Sequence, residues 1–276
     1  RHHAYGLEPE SRNLIEGLRG NDPVPTPTVA ARWSPDSKQL FTYQLDERQV
    51  RSLPSMQYVP QDGTLAPTCV ERKNALPGDK HIAQYRMLVI DVETAKETAA
   101  LYSPIDDSFV WLCPFSGNLA WWSEDGRRAY FVDMARGQKS VRLVAFDTRT
   151  GVTEILFEES SDTYLELGLE FEHPSLLRVL PESDELIWYS ERSGWAHLYL
   201  YDLTTGQEKH AITSGDWRVR DVAHVDTANR ELWLQIAGRV QGSNPYDREL
   251  VRVNIDPRKM TVIASGDYDY SLSKQL

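Results

Sequence analysis

One hairpin, written four times, constrains this chain more than any other feature. The segments LVIDVETAKET (88–98), LVAFDTRTGVTEIL (143–156), LYLYDLTTGQEKHAIT (198–213) and LVRVNIDPRKMTVIA (250–264) share a grammar of apolar strand, aspartate, turn and second strand. The aspartates are Asp91, Asp147, Asp202 and Asp256, and their spacings agree within two residues (147 − 91 = 56, 202 − 147 = 55, 256 − 202 = 54). In Asp202-Leu203-Thr204-Thr205-Gly206 the carboxylate can bond backbone groups at the corner, while the glycine supplies a positive φ.

A second turn precedes the hairpin. Trp33-Ser34-Pro35-Asp36-Ser37 and Trp122-Ser123-Glu124-Asp125-Gly126 lead into apolar strands, and LPESDELIWYS (180–190) is a weaker third version. Proline fixes φ at the second turn position and aspartate closes the turn. The runs 39–45, 86–92, 128–134, 142–148, 185–191, 197–203, 231–237 and 249–256 all read as strands. Helix signals are sparse, the clearest being a short stretch from Glu10 to Leu18 with Leu14, Ile15 and Leu18 on one face. The expected class is therefore all-β. Two hairpins per unit make a four-stranded sheet, and stacked four-stranded sheets make a β-propeller. A β-sandwich with coincidental turns is the alternative, and the agreement of three successive spacings favours the propeller. Residues 1–276 then form one propeller domain, a partial or open set of blades. A long Pro- and turn-rich insertion at 47–85 breaks its rhythm; loops of that length are often used for contacts.

Composition narrows the partners. At 276 residues and 41% apolar the chain can bury a substantial core, and no run approaches the 18 apolar residues of a membrane span. A net charge of −11 argues against nucleic acid, because phosphate binding wants a basic face. Two cysteines, Cys69 and Cys113, form no CxxC and leave the compartment open. The opening RHHAYG shows neither an initiator methionine nor an apolar leader, which reads as a piece of a longer chain.

Catalytic signatures are missing. No serine has glycine at both −2 and +2, as a nucleophile elbow requires. The seven histidines form no H-x-x-x-H and no Cys-His cluster, so neither zinc nor another metal or cofactor is expected. The turns SPDSK and SEDGR both depart from the sialidase S-x-D-x-G pattern. Paired carboxylates for glycoside cleavage need only converge in space. In ILFEESSDTY (155–164), Glu158, Glu159 and Asp162 read as the polar exit of a strand, a solvated loop or a loop at a propeller mouth. His197, in SERSGWAHLYLYD, reads as a packed structural histidine.

The stretches WSPDSKQLFTYQLDER (33–48), PGD (77–79) ahead of LVIDVETAK, FEESSDTYLE, WYSERSGWAHLYLYDLTTG (188–206), ITSGDWRVRDV (212–222) and NPYDRELVRVNID (244–256) together resemble one family. It is the amino-terminal propeller of dipeptidyl peptidase IV-like serine peptidases, in the prolyl oligopeptidase family. The resemblance covers most of residues 30–256. It implies an eight-bladed propeller ahead of an α/β-hydrolase domain that carries a Ser-Asp-His triad and lies outside this chain. Such enzymes remove Xaa-Pro or Xaa-Ala dipeptides from peptide amino termini; the propeller gates access and supplies carboxylates to the substrate ammonium. The implied partners are that hydrolase domain, the peptide, and a second copy in a homodimer. The family's acidic run stands shortly before the WSPD strand, where this chain has no Glu-Glu. The candidate substrate-binding residues are Glu8, Glu10, Glu158 and Glu159, none matching that run residue by residue. This chain alone is expected to lack activity and catalytic residues. A free-standing propeller scaffold that binds a protein or carbohydrate is the alternative.

Overall fold

The computed structural model describes residues 4–5, 30–58, 60, 65–107, 114–115, 117–168, 175–266 and 268–272. Glu8, Glu10, the helical stretch expected from Glu10 to Leu18, and Cys113 lie outside the described residues. Strands β1 (Ala4–Tyr5), β2 (Arg32–Trp33) and β3 (Gln39–Asp46) are followed by a ribbon of β4 (Ser52–Gln57) and β5 (Thr68–Lys73). Then come β6 (Gln84–Asp91), β7 (Glu97–Ala99) and β8 (Ile105–Asp106). β1, β3, β6 and β7 form the first sheet in that order, with β2 also on β3 and β8 on β6. Among the described residues the ribbon β4–β5 pairs only within itself, and it occupies the sequence between β3 and β6.

The other three sheets are four-stranded and follow the chain. They are β9 (Ala120–Trp122), β10 (Arg128–Met134), β11 (Ser140–Asp147) and β12 (Thr153–Ser160); β13 (Arg178–Leu180), β14 (Glu185–Ser190), β15 (His197–Asp202) and β16 (Glu208–Ala211); and β17 (Arg218–Asp226), β18 (Glu231–Ala237), β19 (Arg248–Asn254) and β20 (Met260–Ala264). Four strands in sequence order are the blade unit of a propeller. The eight strands expected from the sequence are all present. By contact density the chain divides into two compact units, Arg1–Gly137 with Arg142–Ile155, and Gln138–Val141 with Leu156–Leu276.

In the first unit Phe41, Tyr43 and Leu45 alternate along β3 into a core with Tyr85, Met87 and Val89 of β6, its neighbour in the sheet. Phe41 meets the rings of Phe115, Trp122 and Phe146 at 5.1, 5.8 and 5.7 Å. In the second unit every residue of β14 is buried, and only the last residue of β15 is not. Strands buried on both faces read as continuous apolar runs, as LIWY and LYLY do here.

The repeated corner follows one hydrogen-bond scheme, and it corrects the fourth repeat. The N–H of Asp91, Asp147 and Asp202 donates five residues ahead, to Lys96, Val152 and Gln207. At the fourth corner the residue doing this is Asn254, bonded to Lys259, and not Asp256. Positive φ falls four residues on each time, at Ala95, Gly151, Gly206 and Arg258. In the first three corners the aspartate carboxylate accepts from the N–H of Thr94, Thr150 or Thr205 at 2.8, 2.8 and 2.9 Å. The corresponding residue of the fourth corner is Pro257, which has no N–H to offer. Asn254 turns its amide to Glu231 instead, at 2.8 Å.

Two of these glycines also pack against the preceding sheet. A Cβ on Gly151 would stand 2.3 Å from the carbonyl oxygen of Ala99, at the end of β7. One on Gly206 would stand 2.3 Å from that of Leu156, in β12. Both positions need glycine twice over, for their φ and for the close approach.

Candidate functional site

The acidic pair singled out in the sequence lies in a strand and not in a loop, because β12 runs on through Ser160. Alternation along β12 puts Phe157 and Glu159 on one face and Glu158 on the other. Phe157 stacks on Tyr201 at 4.2 Å and meets Trp188 edge-on at 4.9 Å. Glu159, two residues on, accepts hydrogen bonds from Trp188 Nε1 at 2.9 Å, Ser190 Oγ at 2.5 Å and Arg192 Nη2 at 2.9 Å. Its side chain is only 12% exposed, whereas Glu158 is exposed.

Arg192 is the hub of this cluster. Its guanidinium also donates to Tyr201 Oη at 2.7 Å, to Glu208 at 2.9 Å and to Ser190 Oγ at 2.9 Å, and it lies 4.3 Å above the Tyr199 ring. Burial works against its charge, but bonding to Tyr201 and the nearby Glu159 outweigh this and hold its pKa above the usual value. Burial pushes the Tyr201 hydroxyl up as well. The effect is to pin the turn between β14 and β15, which carries the half-exposed Trp195. Glu159 is thus a structural acceptor whose lone pairs are largely spent on the protein.

A second cluster surrounds Glu185, whose side chain is 4% exposed. Lys209 Nζ at 2.7 Å, Arg230 Nη1 at 2.8 Å and Ser183 Oγ at 2.7 Å donate to it. Arg230 also forks Asp256 at 2.6 and 2.7 Å, which is what occupies that aspartate in place of a corner role. Burial would raise the Glu185 pKa, but the bonds from Arg230, Lys209 and Ser183 reverse it and hold it below the usual value. The Arg230 pKa is raised, by its bond to Asp256 first and by that to Glu185 next.

His197 is buried, with Nε2 2.9 Å from the Gly215 carbonyl and Nδ1 3.0 Å from Thr213 Oγ1. A carbonyl only accepts, so Nε2 carries the proton and Nδ1 receives the threonine hydroxyl. Burial lowers its pKa, and Trp217 meets its ring edge-on at 4.8 Å. With both nitrogens engaged it is a packed neutral histidine. Among the described residues no group of three His, Cys, Asp or Glu side chains is placed to hold a metal ion.

Arg192, Arg230 and Lys209 were not legible as partners. Arg192 stands 33 residues from Glu159, and Arg230 and Lys209 stand 45 and 24 residues from Glu185. The one sequence signal is the presence of Arg192 inside the SERSGW run.

The sequence model of the family described as the dipeptidyl peptidase IV N-terminal region matches residues 27–276. A dipeptidyl peptidase 4 of Arthroderma otae is 25% identical over 149 residues, which cover 53% of this chain and 18% of the relative. One from Trichophyton equinum is 25% identical over 119 residues, 43% of this chain and 15% of the relative. The crystal structure of Porphyromonas gingivalis dipeptidyl peptidase 4 superimposes with a TM-score of 0.71 at 17% identity, covering 96% of this chain and 33% of that one. That likeness shows the fold. The chain spans less than a fifth of the length of the curated relatives and a third of the solved one.

Proposed function

The chain belongs to the dipeptidyl peptidase IV N-terminal region family, and on that premise we propose that it is the non-catalytic propeller part of a serine exopeptidase. Its parent removes Xaa-Pro or Xaa-Ala dipeptides from peptide amino termini, and the blades gate and orient the peptide for an α/β-hydrolase domain of the same polypeptide. The family match over residues 27–276 carries this reading. The internal engagement of Glu159, Glu185 and His197 supports it, because these side chains hold strands and turns in place and a gate needs fixed walls. Orientation by fixed groups raises the effective concentration of a bound substrate without touching the bond that breaks.

The test uses this chain and its full-length parent side by side, with Xaa-Pro and Xaa-Ala chromogenic dipeptides. The parent is expected to turn them over and to lose that activity to serine-directed inhibitors, while the isolated chain shows none. Turnover by the isolated chain that persists with such inhibitors would overturn the reading. The same proposal expects the parent to be a homodimer, which light scattering on the purified protein would check.

A further inference from the structure

A polar groove in the first unit holds about 100 Å³ of open space and is lined by Asp46, Gln49, Lys80, His81, Ile82, Gln84, Asp106 and Arg136. That is room for several waters or for a carboxylate group. The floor is a cross-strand row. Asp46 pairs with Gln84 across β3 and β6, and Gln84 with Asp106 across β6 and β8, so the three side chains share one face. Both floor aspartates already have donors. Arg48 forks Asp46 at 2.9 and 2.6 Å, and Gln84 Nε2 donates to Asp106 at 2.9 Å.

The rim is different. Among the described residues Lys80 and His81 have no hydrogen-bond or ion-pair partner, although both border the groove. Among the described residues the hydrogen bonds of the Arg136 guanidinium go to main-chain carbonyls, those of Asp79 and Leu76. The Asp79 carboxylate attracts this guanidinium but is itself bonded by Arg51, and among the described residues the two carbonyl contacts leave most of the five Arg136 N–H donors open.

The PGD turn supplies those carbonyls. Asp79 accepts from the N–H of Leu76 at 2.9 Å and from Arg51 at 2.5 Å, its own N–H donates to the Leu76 carbonyl at 3.0 Å, and Gly78 takes a φ of 88°. This closely bonded turn holds the Arg136 guanidinium beside the groove. From this we infer that the groove is a carboxylate-binding site, in which Arg136 and Lys80 grip the anion, His81 adds an N–H, and Ile82 lies along the aliphatic stem. The ligand class is an acidic side chain of a peptide or protein, or a free peptide carboxyl terminus, which present the same group.

The 276-residue chain is titrated at constant ionic strength with three probes: N-acetyl-glutamic acid α-amide, N-acetyl-glycine and N-acetyl-lysine amide. Binding is read by chemical-shift changes of the groove residues. Saturable shifts with either acid support the site, and which acid gives them identifies the source as side chain or chain end. Arg136→Gln is expected to weaken the affinity by at least about tenfold, as loss of a charge-assisted bond does. Lys80→Gln should weaken it by a smaller factor, and Lys80 has no hydrogen-bond or ion-pair partner among the described residues, so this variant decides the matter even if Arg136→Gln does not fold. Binding of the lysine probe alone, shifts that chloride reproduces, or equal affinity in Lys80→Gln and the unaltered chain would each overturn the inference.

Discussion

Glu159 and Arg192 show what a single pair does here. Removing the carboxylate would leave the buried Trp188 N–H without its acceptor and take one of two carboxylates from Arg192, which keeps Glu208, Tyr201 and Ser190. Glu159→Ala is therefore expected to destabilise the chain by about 2–3 kcal/mol, and Glu159→Gln, which keeps an acceptor oxygen, by about 1 kcal/mol. Urea unfolding of the two variants checks the ordering; equal costs would mean that shape and not hydrogen bonding holds the turn. Glu185 makes a pH prediction. Its folded pKa lies below the ordinary value of 4.5, so its contribution is fully present above that value and is lost as the pH falls through the folded pKa. Glu185→Gln should flatten the acid limb of the stability curve below about pH 4.5 while lowering stability at neutral pH. A variant whose stability falls with acid as steeply as the unaltered chain would remove Glu185 from that role.

At the scale of elements, the corners decide where strands stop. Gly206 combines a φ of 71° with the contact on the Leu156 carbonyl, so Gly206→Ala is expected to cost about 2–4 kcal/mol. Arg258 occupies the matching position of the fourth corner at a φ of 56°, so Arg258→Gly should change stability by less than about 1 kcal/mol, because it relieves the same φ and removes no ion pair seen among the described residues. Chemical denaturation of both variants separates the two reasons for glycine. If Gly206→Ala were as mild as Arg258→Gly, the close approach of sheet to corner would carry no weight. The strands themselves were legible because alternation, and the punctuation that ends it, are local. RAYFVDM and ELWLQIA match β10 and β18 to the residue. The fourth corner was misplaced by two residues because the repeat was followed by residue type. Backbone register instead puts Asn254 there, and Pro257 removes the N–H that an aspartate would have bonded.

For the whole molecule, family membership and the blade-type sheets fix the frame, and the two compact units give it internal structure. Gly151 and its Ala99 contact lie in the first unit, Gly206 and its Leu156 contact in the second. Stability is expected to be regional. Hydrogen exchange should show Gly151→Ala loosening β3 and β6 while β14 and β15 stay protected, and Gly206→Ala doing the reverse. Uniform loosening by either variant would make the chain a single cooperative body. Sequence alone determined that this is a β protein of repeated hairpins, because apolar alternation and turn chemistry act over a few residues. It determined the resemblance by the same local runs. The tertiary structure decided that Glu159 belongs to Arg192, that Asp256 belongs to Arg230 and that Lys80 and Arg136 border one groove. Those pairings join residues tens of positions apart, and only the packing of strands fixes which side chains meet.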